Sequence, residues 1–190
     1  MKFHHRVYVT LLTSLLAPVI FADSGSAEAI SKVDFVGIAN HSRYQGPASF
    51  AGSPVGFGGA TSPSAMAELS GEGFVTVVSL RLSSEDGADI DGSRAAAGAA
   101  GLNYIHLPFD PKSSTPYDVD RFLAVVSDKT NQPVYIHCGS ATRAAALWMI
   151  GRVQQDALAI DAANSEGALI AEKPEGALRL FSAYMDRPVD

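Results

Sequence analysis

One cysteine in 190 residues leaves no internal disulfide, so no cross-linked framework supports this fold. Charge is also sparse: Asp, Glu, Lys and Arg make up 18% of the chain, and acids outnumber bases for a formal net charge of -6. There is no basic stripe or arginine-rich run, which excludes nucleic acid as a partner. The five histidines are scattered and the thiol stands alone, so metal-ligand spacing is missing and no metal or other cofactor is expected. Gly56, Gly58 and Gly59 follow no clear strand and open no clear helix, which removes the phosphate-loop and dinucleotide glycine patterns. No serine stands in a Gly-x-Ser-x-Gly elbow.

What is present is small and apolar, with 47% hydrophobic residues and 17 glycines. That is enough for one well-buried domain and too little for two. Met1–Arg6 is basic, and the apolar stretch Val7–Phe21, broken by Pro18, follows it. This is the shape of a secretory signal, cleaved after Ala22 or Ala27. The expected organisation is a signal over 1–22, a Gly/Ser-rich lead-in over 23–56 and one folded domain over 57–190. The protein is expected to be exported to the periplasm, with no stable membrane span once the signal is removed.

The lead-in carries one short apolar run, Val33–Ile38, read as a small edge strand. Ser62-Pro63-Ser64 opens a short helix over Ala65–Leu69, stopped by Gly71 or Gly73. Phe74–Leu80 is β-branched and almost continuously apolar, as a buried parallel strand should be. Helical segments are expected at Ser93–Ala100, Pro116–Ser127, Ala144–Gln155, Ala157–Ser165 and Glu175–Met185, with further strands at Asn103–Leu107 and Val134–His137. Alternating strands and helices imply an α/β fold: one three-layer domain with a central, mainly parallel sheet flanked by helices. In such sheets ligands bind beyond the carboxyl ends of the strands. Arg81, Asp110 and Cys138 each fall just past one of those ends.

The chain converges on Val134–Trp148. A strand ends in His137-Cys138, four small residues follow (Gly139, Ser140, Ala141, Thr142), and Arg143 opens an alanine-rich helix. A helix N-terminus offers unpaired N–H groups and positive dipole charge, both of which favour a thiolate over a thiol. The small residues let backbone N–H groups converge into an anion-binding loop, and Arg143 adds a planar cationic fork. Cys138 is therefore the candidate nucleophile, with Arg143 and the loop as the anion cradle. Arg81 reads as a structural cation, closing its strand or pairing with an acid. His106 carries no catalytic signal.

These residues resemble the cysteine-dependent phosphatases of the tyrosine and dual-specificity superfamily. The nearer likeness is to the beta-lactamase-hydrolase-like phosphatase-like domains, through Pro63–Leu69, Gly73–Arg81, Gly101–Asp110 and Val134–Arg143 over roughly Phe57 to Val153. The resemblance implies a phosphatase-like fold and catalytic domain, with Cys138 as phosphocysteine carrier. It further implies that Arg143 and the loop N–H groups bind the transferring group, that Asp110 protonates the leaving oxygen, and that His137 supports the thiolate by local hydrogen bonding. The substrate would be a phosphorylated, anionic one, as for a protein phosphatase of dual specificity. Four residues lie between Cys138 and Arg143 where that superfamily places five, and Ala144 stands where a Ser or Thr is usual. The shorter loop also fits a rhodanese-like sulfurtransferase, taking a sulfur-bearing anion and carrying a persulfide on Cys138. A third reading is a non-catalytic module that binds anions or phospho-ligands.

Overall fold

The computed structural model describes residues 25–187, so the signal expected over 1–22 lies outside the described residues. The strands are β1 (Ile30–Lys32), β2 (Ser42–Tyr44), β3 (Val55–Gly58), β4 (Thr76–Ser79), β5 (Asn103–His106) and β6 (Val134–His137). They form one sheet in the order β1-β2-β3-β6-β4-β5. The four strands β3, β6, β4 and β5 run parallel, and β2 and β1 extend the β3 edge antiparallel. The helices are α1 (Gly25–Glu28), α2 (Met66–Gly71), α3 (Ile90–Ala99), α4 (Pro116–Ser127), α5 (Thr142–Asp156), α6 (Ile160–Ile170) and α7 (Pro174–Met185). This is the mainly parallel, helix-flanked sheet that the sequence pattern predicts.

Alternation along the strands sets the layers. Val78 and Ile136 face the cluster built on α4 to α7, whereas Val77 and Tyr135 face Met66, Leu69 and Ala97 of α2 and α3. Trp148 of α5 centres the larger cluster, its ring 4.9 to 5.2 Å from those of Tyr44, Phe50 and Phe57. Pro116 opens α4, whose first turn is fixed by Asp118 accepting from the Thr115 N–H and hydroxyl.

Three expectations are corrected. The edge strand expected at Val33–Ile38 is the connection between β1 and β2. Gly37 and Asn40 turn there at φ 83 and φ 50, and Val36 points to solvent. The sheet reaches back into the lead-in, where β1, β2 and the start of β3 lie. β3 itself escaped the sequence reading because it alternates Val-Gly-Phe-Gly, and glycine is depleted in strands. Its glycines answer a packing demand: a Cβ on Gly56 would lie 2.6 Å from the Phe74 ring, and one on Gly58 would collide with the Tyr135 hydroxyl. Finally, the helix expected at Ala157–Ser165 is α6, beginning at Ile160 because Ala157 turns left-handed at φ 53 to end α5.

α5 and α6 are joined by a buried charge network. The Glu166 carboxylate, fully buried, accepts from Trp148 Nε1 at 2.6 Å and from Arg152 Nε and Nη2 at 3.0 Å each. Arg152 also donates to Asp156, to the Tyr44 hydroxyl and to the Pro47 carbonyl. Removing one partner strands a buried charge, at a cost of about 3–5 kcal/mol. Glu166→Ala is expected to lose about that much stability in urea unfolding, with the m-value unchanged.

Candidate active site

Cys138 follows the last residue of β6, which lies between β3 and β4. His137 is in register with Gly58 on one side and Ser79 on the other, so three parallel strands end level at this edge. The loop carbonyls are tied outward: Gly139 O accepts from Ala60 N–H at 2.9 Å and Ser140 O from Glu172 N–H at 3.1 Å. α5 begins at Thr142, whose first turn leaves N–H groups without intrahelical partners. The turn is made by Ala141 at φ 56, ψ 0, a left-handed conformation that costs a residue with a Cβ about 1 kcal/mol. Cys138 is almost wholly buried beneath the loop.

Arg143 is fixed by oxygen on several sides. Nη1 donates to Glu85 Oε1 at 2.6 Å, to Leu80 O at 3.0 Å and to Phe109 O at 3.2 Å, and Nη2 donates to Glu85 Oε2 at 2.8 Å. Nε donates to none of these oxygens. Burial opposes the Arg143 charge, but Glu85 and the adjacent Cys138 sulfur outweigh it and raise its pKa above the ordinary value. Burial likewise pushes the Glu85 carboxyl up. Hydrogen bonds from Arg143, Leu82 N–H and Arg81 overcome that and hold it at about 2. Glu85 is the site residue that sequence reasoning missed. Its signal was its place in the acidic loop just beyond β4, four residues after Arg81.

The other expected residues divide. Ser140 and Thr142 line a cleft of about 460 Å³ together with Arg143 and Glu85, and their hydroxyls hydrogen-bond each other at 3.0 Å. Ala144, where a hydroxyl would be usual, is packed in the apolar core, so the hydroxyls of the cleft come from the loop itself. Asp110 lies in the loop after β5, next to Pro111 of the cleft wall. Its carboxylate accepts from Lys112 N–H at 3.0 Å and from the Ser113 hydroxyl at 3.2 Å, and so caps its own turn. His137 makes no hydrogen bond to the Cys138 sulfur: its ring stacks on Tyr135 at 5.9 Å. Burial and the Arg81 charge push its pKa down to about 4 against weaker help from the Gly59 and Cys138 backbones, so it is neutral at pH 7. Arg81 is structural, held by Glu85 and the Gly87 carbonyl, while His106 Nε2 meets the Arg81 carbonyl at 2.7 Å.

A cysteine-bearing loop that links a central parallel strand to a helix, with a half-buried arginine on the helix's first turn, has the layout of the cysteine-phosphatase fold class. The family model described as "Beta-lactamase hydrolase-like protein, phosphatase-like domain" matches residues 50–175, and the chain belongs to that family. A curated relative, the beta-lactamase hydrolase-like protein of Agrobacterium fabrum, is 31% identical over 85 residues, which are 44% of this chain and 20% of that protein. The chain thus matches about a fifth of that relative's length. Among solved structures, a candidate phosphatase (DUF442) from Shewanella putrefaciens CN-32 superposes with a TM-score of 0.57 at 21% identity, over 78% of this chain and 92% of the other. Tk-PTP in its active form gives 0.56 at 17% identity, over 74% and 97%. TpbA of P. aeruginosa gives 0.52 at 20% identity, over 68% and 79%.

The Glu85 geometry has a consequence for pH. A carboxyl held at about 2 against an ordinary 4.5 stabilises the fold fully above 4.5 and loses that contribution as pH falls toward 2. Acid unfolding of Glu85→Gln is therefore expected to start from a lower stability and to show a shallower decline between pH 4.5 and 2, read by circular dichroism.

Proposed function

We propose that this chain hydrolyses phosphate monoesters through a phosphocysteine on Cys138, acting on phosphorylated protein side chains with dual specificity. The observation that carries the reading is the Arg143 guanidinium, locked by Glu85 beside the Cys138 sulfur at the N-terminus of α5. The thiolate attacks phosphorus, an S–P bond forms as the ester P–O bond breaks, and Asp110 gives its proton to the leaving oxygen. Water then attacks the phosphocysteine, Asp110 takes the water's proton, and phosphate leaves with the thiolate restored. Arg143 Nε and the first N–H groups of α5 carry the equatorial oxygens. For Asp110 to act, its carboxylate must leave the turn it caps, so loop 109–115 shifts during turnover. A neighbour solved in complex with pTyr, TpbA of P. aeruginosa, supports a phosphorylated substrate.

The four-residue loop favours a second reading, in which Cys138 accepts a sulfane sulfur and carries it as a persulfide. Intact mass spectrometry after brief exposure to an aryl phosphate or to thiosulfate separates the two, with Cys138→Ser as control. A phosphate adduct on Cys138 is expected, and addition of one sulfur instead would replace this proposal. Asp110→Asn is expected to lower kcat for phosphate ester cleavage roughly 100-fold or more. Unchanged turnover would remove Asp110 from the mechanism.

We also propose export through the leading segment. The mature chain from the periplasmic fraction is then expected to begin at Asp23 or Glu28 by N-terminal sequencing, and an intact Met1 there would refute cleavage.

A further inference from the structure

The cleft beside the cysteine loop carries more positive charge than its chemistry uses. Its wall holds three cations, Arg143, Lys173 and Arg179, against one carboxylate, Glu85, which is already committed to Arg143 and Arg81. This stands out in a chain of net charge -6. Among the described residues, Lys173 and Arg179 form no salt bridge, and both are exposed at the opening.

The fold brings these two cations to the loop. The link between α6 and α7 is tied down by Glu172 N–H donating to Ser140 O, so Lys173, at the start of α7, sits beside the cysteine loop. Gly176 then lets the helix close on the loop: a Cβ there would lie 3.1 Å from Thr142 Cγ2. Arg179 is three residues on, one helical turn away on the same face. Its Nη2 comes within 3.8 Å of that same Cβ position, so the guanidinium folds back across the amino end of α7 toward the cleft.

We infer that Lys173 and Arg179 form a second anion subsite, selecting phosphate monoesters that carry another negatively charged group near the scissile phosphate. The inference rests on the phosphatase reading for its substrate, but the subsite is defined by binding alone. An acidic residue flanking a phosphorylated side chain, or a second phosphate, would supply the charge. Two partly exposed ion pairs of ordinary strength together give about a tenfold preference, and salt weakens it.

The test uses two phosphotyrosyl peptides, one flanked by neutral residues and one by Asp and Glu, plus a doubly phosphorylated third. Binding is measured on Cys138→Ser by fluorescence anisotropy and turnover on the wild type, each with and without the pair Lys173→Ala and Arg179→Ala. The acidic and doubly phosphorylated peptides are expected to bind about tenfold tighter than the neutral one, and the ratio is expected to fall near one in the double variant and at high salt. A preference common to both shows the subsite reads charge, and one confined to the doubly phosphorylated peptide narrows the second group to phosphate. Turnover of the neutral peptide with no preference for either charged one overturns the subsite and leaves the phosphatase reading standing. A binding preference that the double variant abolishes, without turnover of any peptide, supports the subsite and overturns the phosphatase reading. A preference that survives in the double variant overturns the assignment to these two residues. Circular dichroism shows whether the double variant is folded, and charge reversal to Glu at both positions, expected to invert the ratio, guards against a merely structural effect.

Discussion

The two-pronged contact between Arg143 and Glu85 is the constraint on which the site depends. A guanidinium on the first turn of α5 is free to rotate over a wide arc, and a loop of small residues does little to stop it. Glu85 removes that freedom by taking both terminal nitrogens in a planar pair, and Arg81 and the Leu82 N–H hold the carboxylate from behind. The carbonyls of Leu80 and Phe109 meet the same Nη1, so the segments after β4 and β5 are both referenced to one side chain. The arginine thereby joins three strand ends that share no covalent neighbour.

The cradle is built by backbone as much as by side chains. Ala60 and Glu172 pull on consecutive loop carbonyls from opposite parts of the chain, and Ala141 accepts a left-handed turn to finish the curve. These ties explain why residues far from Cys138 in sequence belong to its loop. β3 brings Gly59 and Ala60 alongside because its glycines leave room for Tyr135, and α7 arrives because Gly176 has no side chain. Packing freedom at a few glycines is converted into position at the loop.

How much of this was legible follows from the same particulars. β4, β5 and β6 announced themselves because each is a bounded, largely apolar run, and their shared carboxyl edge placed Arg81, Asp110 and Cys138 at one end of the sheet. β3 was illegible because a strand that must accommodate a neighbour's ring looks, in sequence, like a glycine-rich loop. The apolar run Val33–Ile38 is a connection and not an edge strand because the chain turns at Gly37 and again at Asn40, which polarity alone does not show. Glu85 went unread because a carboxylate in a polar loop has no periodicity, and only the fold shows which arginine it meets. At His137 and Asp110 the fold shows contacts that residue type alone does not: one stacks on Tyr135 and the other caps a turn.

Trp148 is the chain's one tryptophan, and its indole N–H is bound to Glu166 inside the helical layer, away from the cleft. Excited at the red edge, where the six tyrosines do not absorb, the intrinsic fluorescence of this protein is a single-source signal. It reports on the seam between α5 and α6, where aromatic rings and a buried carboxylate surround the emitter, and not directly on occupancy of the cysteine loop. Because the indole lies outside the cleft, strain from a ligand bound there reaches it along the shaft of the helix whose first turn carries Arg143, which makes this chromophore a strain gauge for α5.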